Sequence, residues 1–331
     1  MSGPSGQGRR SLAIVAGIDE AGFGPLLGPL VVTGVAFRVP DSQAHRCLWE
    51  TLRETCTRRP DRDGRRLAVA DSKQLFRGRT DFSALERPAM VMLAAAGLRP
   101  RTWRTLLDLL ARDATLPLER CPWYAGQDVD LPLSGNVGDV GTRANAVRRN
   151  MNEQSVEFVG VFAEPILEEQ FNRLVSKTGN KAVAMLGTAL RVVDRILRGV
   201  PDPRVRLCVD RLGGRVHYRE ALNTAFPQFE IQILEESADR SAYRLANSAR
   251  VCRLEFVTGG EDRHFAIALA SVYSKYLREL YMHLFNAYWS RQVAALRPTA
   301  GYYTDAKRWL NDAAAELDRL GIDRATLVRQ R

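Results

Sequence analysis

The chain has 331 residues, of which 45% are hydrophobic and 26% charged, a balance typical of a globular protein. Its longest apolar stretch, 28–37, is shorter than the roughly 20 residues that a membrane-spanning helix requires, so collagen-like, wholly disordered and membrane-spanning chains are excluded. The 48 basic and 38 acidic side chains give a formal net charge of +10. This excess favours a polyanionic partner, although an arginine-rich genome would produce the same charge.

Strands and helices alternate along the chain, which predicts an α/β fold. Residues 1–11 are Gly-, Ser- and Arg-rich and are predicted to be a disordered tail; no signal sequence opens the chain, which predicts a cytoplasmic protein. Strands are predicted at 12–18, 30–39, 156–162, 205–209, 229–234 and 254–257. Helices are predicted around 106–110 and at 181–197 and 265–289, and loops at 56–66 and 121–141.

The cysteines and histidines carry no sign of a metal or disulfide framework. The five cysteines are odd in number and widely spaced, without a CxxC pair, as expected for reduced thiols. The four histidines show no HExxH or other paired metal-ligand spacing. Any chemistry is therefore predicted to depend on carboxylates.

The first informative segment is 17–32, where Asp19 and Glu20 close a buried strand. Neighbours on a strand point to opposite faces, so both carboxylates reach one site only if the backbone turns at once, and Gly22 and Gly24 permit such a turn. Prolines stand where a phosphate-binding helix would begin, which argues against a dinucleotide loop. An adjacent Asp-Glu pair is by itself often only a solvated surface feature.

Segment 17–32 resembles the first motif of the prokaryotic type 2 ribonucleases H, the ribonuclease HII and HIII families, whose pattern is GxDEAGxGPxxGPxV. Four later segments resemble the family's further motifs in the same order: Asp-Ser-Lys-x-Leu at 71–75, a strand ending in Asp at 208–210, Ala-Ser, Lys, Arg and an acid at 270–279, and Gly-Tyr-x-Thr at 301–304. The resemblance covers about 12–80 and 155–310. It implies an RNase H-like fold, with a central mixed sheet flanked by helices.

The same resemblance implies a domain organisation. The catalytic domain spans 12–310, interrupted by an insertion at about 82–153, and a C-terminal helical extension occupies 311–331. It further implies a monomer with no membrane association, whose partner is an RNA–DNA hybrid.

In the family, the acidic positions of these motifs hold catalytic metal ions. Carried over to this chain, they are Asp19, Glu20, Asp210 and Glu279. Converging carboxylates suit phosphodiester hydrolysis with two divalent ions, and hard oxygen ligands favour Mg²⁺ or Mn²⁺ over zinc. For Asp210 alone, a strand-end turn would be the simpler interpretation.

Substrate contacts follow from the same motifs. The resemblance assigns them to Gly22, Phe23, Gly24, Lys73, Ser271, Lys275 and Tyr302. On the predicted helix Ser271, Lys275 and Glu279 are spaced by four residues and share one face, which places a phosphate-pairing lysine beside an acid. A surface Lys-Glu pair and a core tyrosine are the alternative interpretations of Lys275 and Tyr302.

Two positions differ from the usual ribonuclease HII pattern. Phe23 stands where that family has an arginine in the loop that reads the ribose 2′-hydroxyl, and Glu279 stands where it has an aspartate, as in ribonuclease HIII. We therefore expect cleavage of the RNA strand of continuous RNA–DNA hybrids, leaving 3′-hydroxyl and 5′-phosphate ends, in preference to single ribonucleotides in DNA. The alternatives are a paralogue that binds nucleic acid without cutting it, and a nuclease of the same fold acting on another structured nucleic acid.

Overall fold

The computed structural model describes residues 11–62, 64–76, 82–134, 137–211 and 213–330. Nine strands are present in these ranges: β1 Leu12–Ala21, β2 Leu30–Pro40, β3 Cys56–Thr57, β4 Leu67–Ala68, β5 Glu157–Ile166, β6 Arg204–Asp210, β7 Glu230–Glu236, β8 Arg240–Ala246 and β9 Val251–Val257. Of the predicted tail at 1–11, all but Ser11 lies outside the described residues. No helix in the described ranges is long and apolar enough to cross a bilayer.

Twelve α-helices lie between and after the strands in the described ranges. They are α1 Leu48–Thr51, α2 Ser72–Leu75, α3 Ser83–Ala95, α4 Trp103–Leu110, α5 Val137–Glu153, α6 Glu168–Thr178, α7 Lys181–Gly199, α8 Arg219–Ala225, α9 Phe265–Gln292, α10 Tyr303–Asp312, α11 Ala314–Arg319 and α12 Arg324–Leu327.

Seven strands form one mixed sheet in the order β5-β2-β1-β6-β9-β8-β7. Strand β1 is antiparallel to β2 and parallel to β6, and β6 is parallel to β9. The outer strands β7, β8 and β9 form an antiparallel meander. The predicted α/β fold with a central mixed sheet flanked by helices is confirmed.

The two faces of the sheet are covered to different extents. One face packs against α7 and α8 along its whole width, using alternate apolar residues such as Val205, Leu207 and Val209. On the other face the long helix α9 lies over β1 and β2. The approach is close at Gly17, where an added Cβ would lie 2.2 Å from the backbone nitrogen of Ile267, so only glycine fits there.

Several elements of the secondary structure were not predicted from the sequence, among them helices α3 and α6. The predicted loop at 121–141 overlaps α5, which begins at Val137. Strand β8 was not predicted either, because the small buried residues Ser241 and Ala242 follow Arg240 and mask the alternation. The stretch 82–153 contributes helices α3 and α5, which pack on each other, and α3 also packs on α9.

Candidate active site

Three parallel strands, β1, β6 and β9, end side by side at one edge of the sheet, and acidic residues lie at all three ends. Asp19 and Glu20 lie near the end of β1, and Asp210 is the last residue of β6. The pairing of β1 with β6 stops at Ile18 and Val209. The side of β1 that faces β6 is therefore open beyond Ile18, next to Asp210.

The expectation that the backbone must turn directly after Glu20 is wrong. Strand β1 continues to Ala21, with Asp19 opposite Thr33 and Glu20 opposite Val32 on β2. The turn follows at Gly22, whose φ is +87°. The two carboxylates are nevertheless close to the same neighbours: the charge of Glu20 raises the pKa of Asp19, and the charge of Asp210 raises that of Glu20.

A further acid, which the sequence analysis did not predict, lies at the end of β9. Glu261 belongs to the short 3-10 turn Gly260–Asp262, whose Gly260 N–H donates to Asp210 Oδ1 at 2.7 Å. Oxygen Oε2 of Glu261 is buried and has no hydrogen-bond partner among the described residues. The available signal was topological: parallel strands end at one edge of a sheet, so a residue just after β9 reaches the site of Asp210.

The electrostatics show that these acids share one environment. Burial, followed by the charge of Glu20, raises the pKa of Asp19 well above its usual value. Burial and the charge of Asp210 raise the pKa of Glu20 to about 7. Burial and the charge of Asp19 raise the pKa of Asp210 to about 8. The charge of Glu261 raises the pKa values of all three acids, as expected for like charges held close together.

Lys73 lies among these acids, and its contact with a phosphate stays a prediction. Burial opposes its charge, but Asp71, Asp19 and nearby glutamates outweigh that effect and raise the pKa of Lys73. Helix α2 positions the lysine: Asp71 caps it by accepting the Lys73 N–H at 2.9 Å.

Ser271 supports this arrangement from within the protein and does not reach the surface. Its hydroxyl oxygen accepts the Ser72 N–H at 3.3 Å and lies 3.0 Å from Ser72 Oγ, which fixes α2 against α9. A hydrogen bond from Ser271 lowers the pKa of Asp19. Only 2% of Ser271 is exposed. Its expected direct contact with substrate therefore does not fit its burial, and its neighbours give it a positioning role.

Glu279, the fourth predicted metal ligand, is engaged in ion pairs. It lies on α9 eight residues beyond Ser271 and five residues beyond Ser274, whose hydroxyl donates to the Asp19 carbonyl oxygen at 2.9 Å. Its Oε1 pairs with Lys275 Nζ at 2.6 Å and Arg278 Nη1 at 3.2 Å. The structure thus brings Asp19, Glu20 and Asp210 together with Glu261. Glu279 instead pairs with Lys275 and Arg278 on α9.

The glycine loop after β1 lies beside this ion pair. At Gly22 an added Cβ would lie 2.7 Å from Arg278 Cδ, so the loop packs directly on that arginine. Phe23 is 39% exposed and Tyr302 is 50% exposed, and the Arg278 guanidinium lies 5.6 Å from the Tyr302 ring. No atom lies within 4 Å of a Cβ added at Gly24. The predicted substrate residues 22–24, Lys275 and Tyr302 therefore share a surface that continues from the acids.

Arg329, near the C-terminus, anchors this loop and was also missed by the sequence analysis. It is 2% exposed. Its Nε donates to Pro25 O at 3.0 Å and its Nη2 to Gly22 O at 2.5 Å. Burial and the neighbouring Arg278 lower the pKa of Arg329 to about 9. A lone basic residue in a C-terminal segment carries no sequence signal for such a role.

We expect Arg329→Met to loosen the loop. The substitution removes several hydrogen bonds from a charged donor, which should cost at least about 2 kcal/mol of stability, and should increase amide hydrogen exchange in 22–28. Arg324→Met, an exposed arginine at the start of α12, is the matched control. Unchanged exchange in 22–28 for Arg329→Met would show that other contacts hold the loop.

The acid cluster suits a hard divalent cation in its donor chemistry. Its four side chains are carboxylates, burial and neighbouring acids raise the pKa values of Asp19, Glu20 and Asp210, and Glu261 Oε2 has no hydrogen-bond partner among the described residues. In those same ranges no group of three or more acidic, histidine or cysteine side chains is placed so that it could hold a metal ion. The acids therefore lie close together without forming a ligand set in this structure.

The raised pKa values predict how the metal-free protein responds to pH. Glu20 and Asp210 titrate at about 7 and about 8 in the folded state and near 4 when unfolded. At pH values between the unfolded and the folded pKa values, the folded state binds more protons than the unfolded state. The free energy of unfolding therefore falls as pH rises. The melting temperature without metal should drop by several degrees from about pH 5 to pH 8. Thermal melts of wild type and Asp210→Asn test this; the slope should be shallower in the variant, and equal slopes would contradict it.

The fold and the site together define an α/β protein with a buried carboxylate cluster at the carboxyl ends of three adjacent parallel strands. No family model matches the chain, and no curated protein matches it in a sequence search.

Solved structures do match it at a distance. Ribonuclease H2 from Pyrococcus horikoshii is 13% identical, with a TM-score of 0.42 over 95% of this chain and 92% of the other. Ribonuclease HII in the PCNA:RNase HII complex from Archaeoglobus fulgidus is 13% identical, with a TM-score of 0.41 over 96% and 94%.

A Bst-RNase HIII in complex with Mn²⁺ is 16% identical, with a TM-score of 0.37 over 98% of this chain and 67% of the other. These values describe a distant likeness in overall fold. The identities are too low to carry the role of a residue from those proteins to this chain.

Proposed function

We propose that this protein is a metal-dependent endonuclease that hydrolyses the RNA strand of RNA–DNA hybrids. The observation that carries the proposal is the placement of Asp19, Glu20, Asp210 and Glu261 close together at the ends of β1, β6 and β9. Burial and neighbouring acids raise the pKa values of Asp19, Glu20 and Asp210. Holding these acids together beside Glu261 costs free energy, and a cation site is the simplest reason for a fold to do so. The motif resemblance supplies the substrate class.

In this proposal the four acids hold Mg²⁺ or Mn²⁺, which when bound would stabilise the charge that develops on the scissile phosphate. Glu261 takes the fourth acidic position, because Glu279 is engaged by Lys275 and Arg278. Lys73, among the acids, pairs with a phosphate oxygen next to the cleavage point. Ser271 orients Asp19 and is not itself a substrate contact.

The surface beyond the acids binds the nucleic acid. Lys275 contacts the backbone one turn along α9, and Tyr302, half exposed beside the loop, packs against a sugar. The carbonyl oxygens of Gly22 and Phe23 accept hydrogen bonds from Arg329, which leaves the open side at Gly24 to approach a ribose closely. Phe23 presents an apolar ring there and no cation.

Continuous hybrid should therefore be cut well and a single ribonucleotide in DNA poorly. A lone ribonucleotide differs from DNA only in one 2′-hydroxyl, so it depends most on the loop that carries Phe23. A longer hybrid offers several such groups and an A-form backbone.

The test is a panel of labelled substrates with Mg²⁺ or Mn²⁺: continuous hybrid, a single ribonucleotide in duplex DNA, duplex DNA and branched DNA. We expect 5′-phosphate products, with rapid cleavage of continuous hybrid, slow cleavage at a single ribonucleotide and none of the two DNA substrates. Phe23→Arg should shift the ratio of kcat/KM toward the single-ribonucleotide substrate, and Phe23→Leu, which keeps the loop apolar, should not. Hybrid binding without cleavage would identify a non-cleaving paralogue, and cleavage of branched DNA alone would identify a different nuclease.

A further inference from the structure

The outer half of the central sheet carries arginines in register on one face. Arg206 on β6 is directly opposite Arg253 on β9, and Arg253 is directly opposite Arg244 on β8. Neighbouring strands lie about 4.8 Å apart, so the three Cα positions span about 10 Å. We call these three residues the arginine ladder.

The ladder lies on a face that the described helices leave open. The large apolar residues that β6, β9 and β8 bury, such as Val209, Leu254 and Tyr243, belong to the core on the opposite face, beneath α7 and α8. Ala242 and Val257, at positions that alternate with that core, are also buried. The core beneath α9 includes no residue of these strands. Along β6 the residues that alternate with the core are Arg204, Arg206, Cys208 and Asp210, so the ladder and Asp210 share one face.

Like charges directly opposite each other in a sheet are unfavourable, and the neighbouring acids offset them only in part. Glu255 pairs with Arg253 and with Arg240. Within the described part of the chain, no carboxylate pairs with Arg206 or Arg244. Arg206 donates only to the carbonyl oxygen of Ala44, at 3.3 Å.

Further arginines extend this positive surface toward α9. A cavity of about 160 Å³ beside Arg206 is also lined by the exposed Arg46 and Arg263, neither of which has a carboxylate partner in the described ranges. A second cavity of about 490 Å³ on the other side of Arg206 reaches Arg253. Burial is the main cause that lowers the pKa of His264, the residue before α9. The charges of Arg206 and Arg263 lower it further, and Glu255 opposes them. Both arginines are therefore close enough to His264 to affect its charge.

The position of the ladder relative to the acids fits a duplex. Arg206 precedes Asp210 by four residues, about 13 Å along a strand. Phosphates of one strand follow each other every 3.4 Å or so along a helix axis. A duplex whose scissile phosphate lies at the acids therefore places phosphates about four nucleotides away over the ladder.

We propose that the arginine ladder is a second phosphate-binding surface, which holds the backbone of the substrate duplex about four nucleotides from the cleavage point. This inference rests on the proposed function for the identity of the duplex. The occupant is the sugar–phosphate backbone, so the contact is independent of base sequence.

The experiment measures the affinity of the full chain for RNA–DNA hybrid in EDTA, as a function of salt. In Arg206→Gln/Arg244→Gln the slope of log K against log salt should fall by about two units relative to wild type. The control Arg101→Gln/Arg112→Gln removes the same charge from exposed arginines on either side of α4, which packs on β5 at the other edge of the sheet. Its slope should equal that of wild type.

A charge-conserving variant, Arg206→Lys/Arg244→Lys, should restore the slope, and thermal melts should show all variants folded, because removing like charges relieves repulsion. Equal slopes in the ladder variant and the control overturn the inference. That result leaves the proposed function intact if wild type still cuts hybrid. Conversely, a reduced slope in a protein that binds duplexes without cutting them supports the ladder and overturns the proposed function.

Discussion

Asp19→Asn and Asp210→Asn are each expected to reduce hybrid cleavage by about 10³-fold or more, equivalent to about 4 kcal/mol of transition-state stabilisation. Each substitution replaces a charged ligand by a neutral amide in a site where a divalent cation needs anionic oxygens. Affinity for hybrid should remain close to that of wild type, since the acids do not attract phosphates by themselves. The measurement is single-turnover cleavage together with binding in EDTA.

The same variants should not be less stable than wild type without metal. Burial and neighbouring acids raise the pKa values of Asp19 and Asp210, so removing one charge relieves repulsion and desolvation. Asp239→Asn, at the exposed turn between β7 and β8, is the matched control for both properties. Full cleavage by either site variant would exclude these residues as metal ligands.

Glu261→Gln is expected to lose activity to the same extent as Asp210→Asn, whereas Glu279→Gln should lose about tenfold at most. Glu261 shares its environment with the other acids, as their raised pKa values indicate. Glu279 instead neutralises Lys275 and the fully buried Arg278. Its substitution should mainly lower stability, by about 1–2 kcal/mol.

Cleavage rates and thermal melts of the two glutamine variants distinguish these outcomes. Asp262→Asn, next to Glu261 but exposed, controls for effects of the turn itself. If Glu279→Gln abolishes cleavage while Glu261→Gln is active, the fourth acid is the one that the motif resemblance indicated. The ion pair would then have to open when substrate binds.

Local pattern was sufficient for most of the fold. The alternation of apolar residues in 205–209 and the helical spacing in 181–197 reflect burial against one core, and a strand or helix that buries one face must show its period. Strand β8 and the start of α5 were not predicted, because their residues follow no clear apolar pattern. Asp19, Glu20 and Lys73 could be predicted from the sequence because they lie in short segments whose composition is unusual by itself.

The sequence by itself determined the alternation of strands and helices, the carboxylates at the end of β1, and the positive charge of the chain. Only the tertiary structure decided which acid joins them. Glu261 reaches Asp210 through the parallel pairing of β6 with β9, whose paired residues, such as Asp210 and Val257, are 47 positions apart in the chain. The same holds for Arg329, whose hydrogen bonds to Gly22 and Pro25 join the two ends of the chain. It also holds for the arginine ladder, because register across three strands follows from hydrogen bonding between strands and leaves no periodic trace within any one of them.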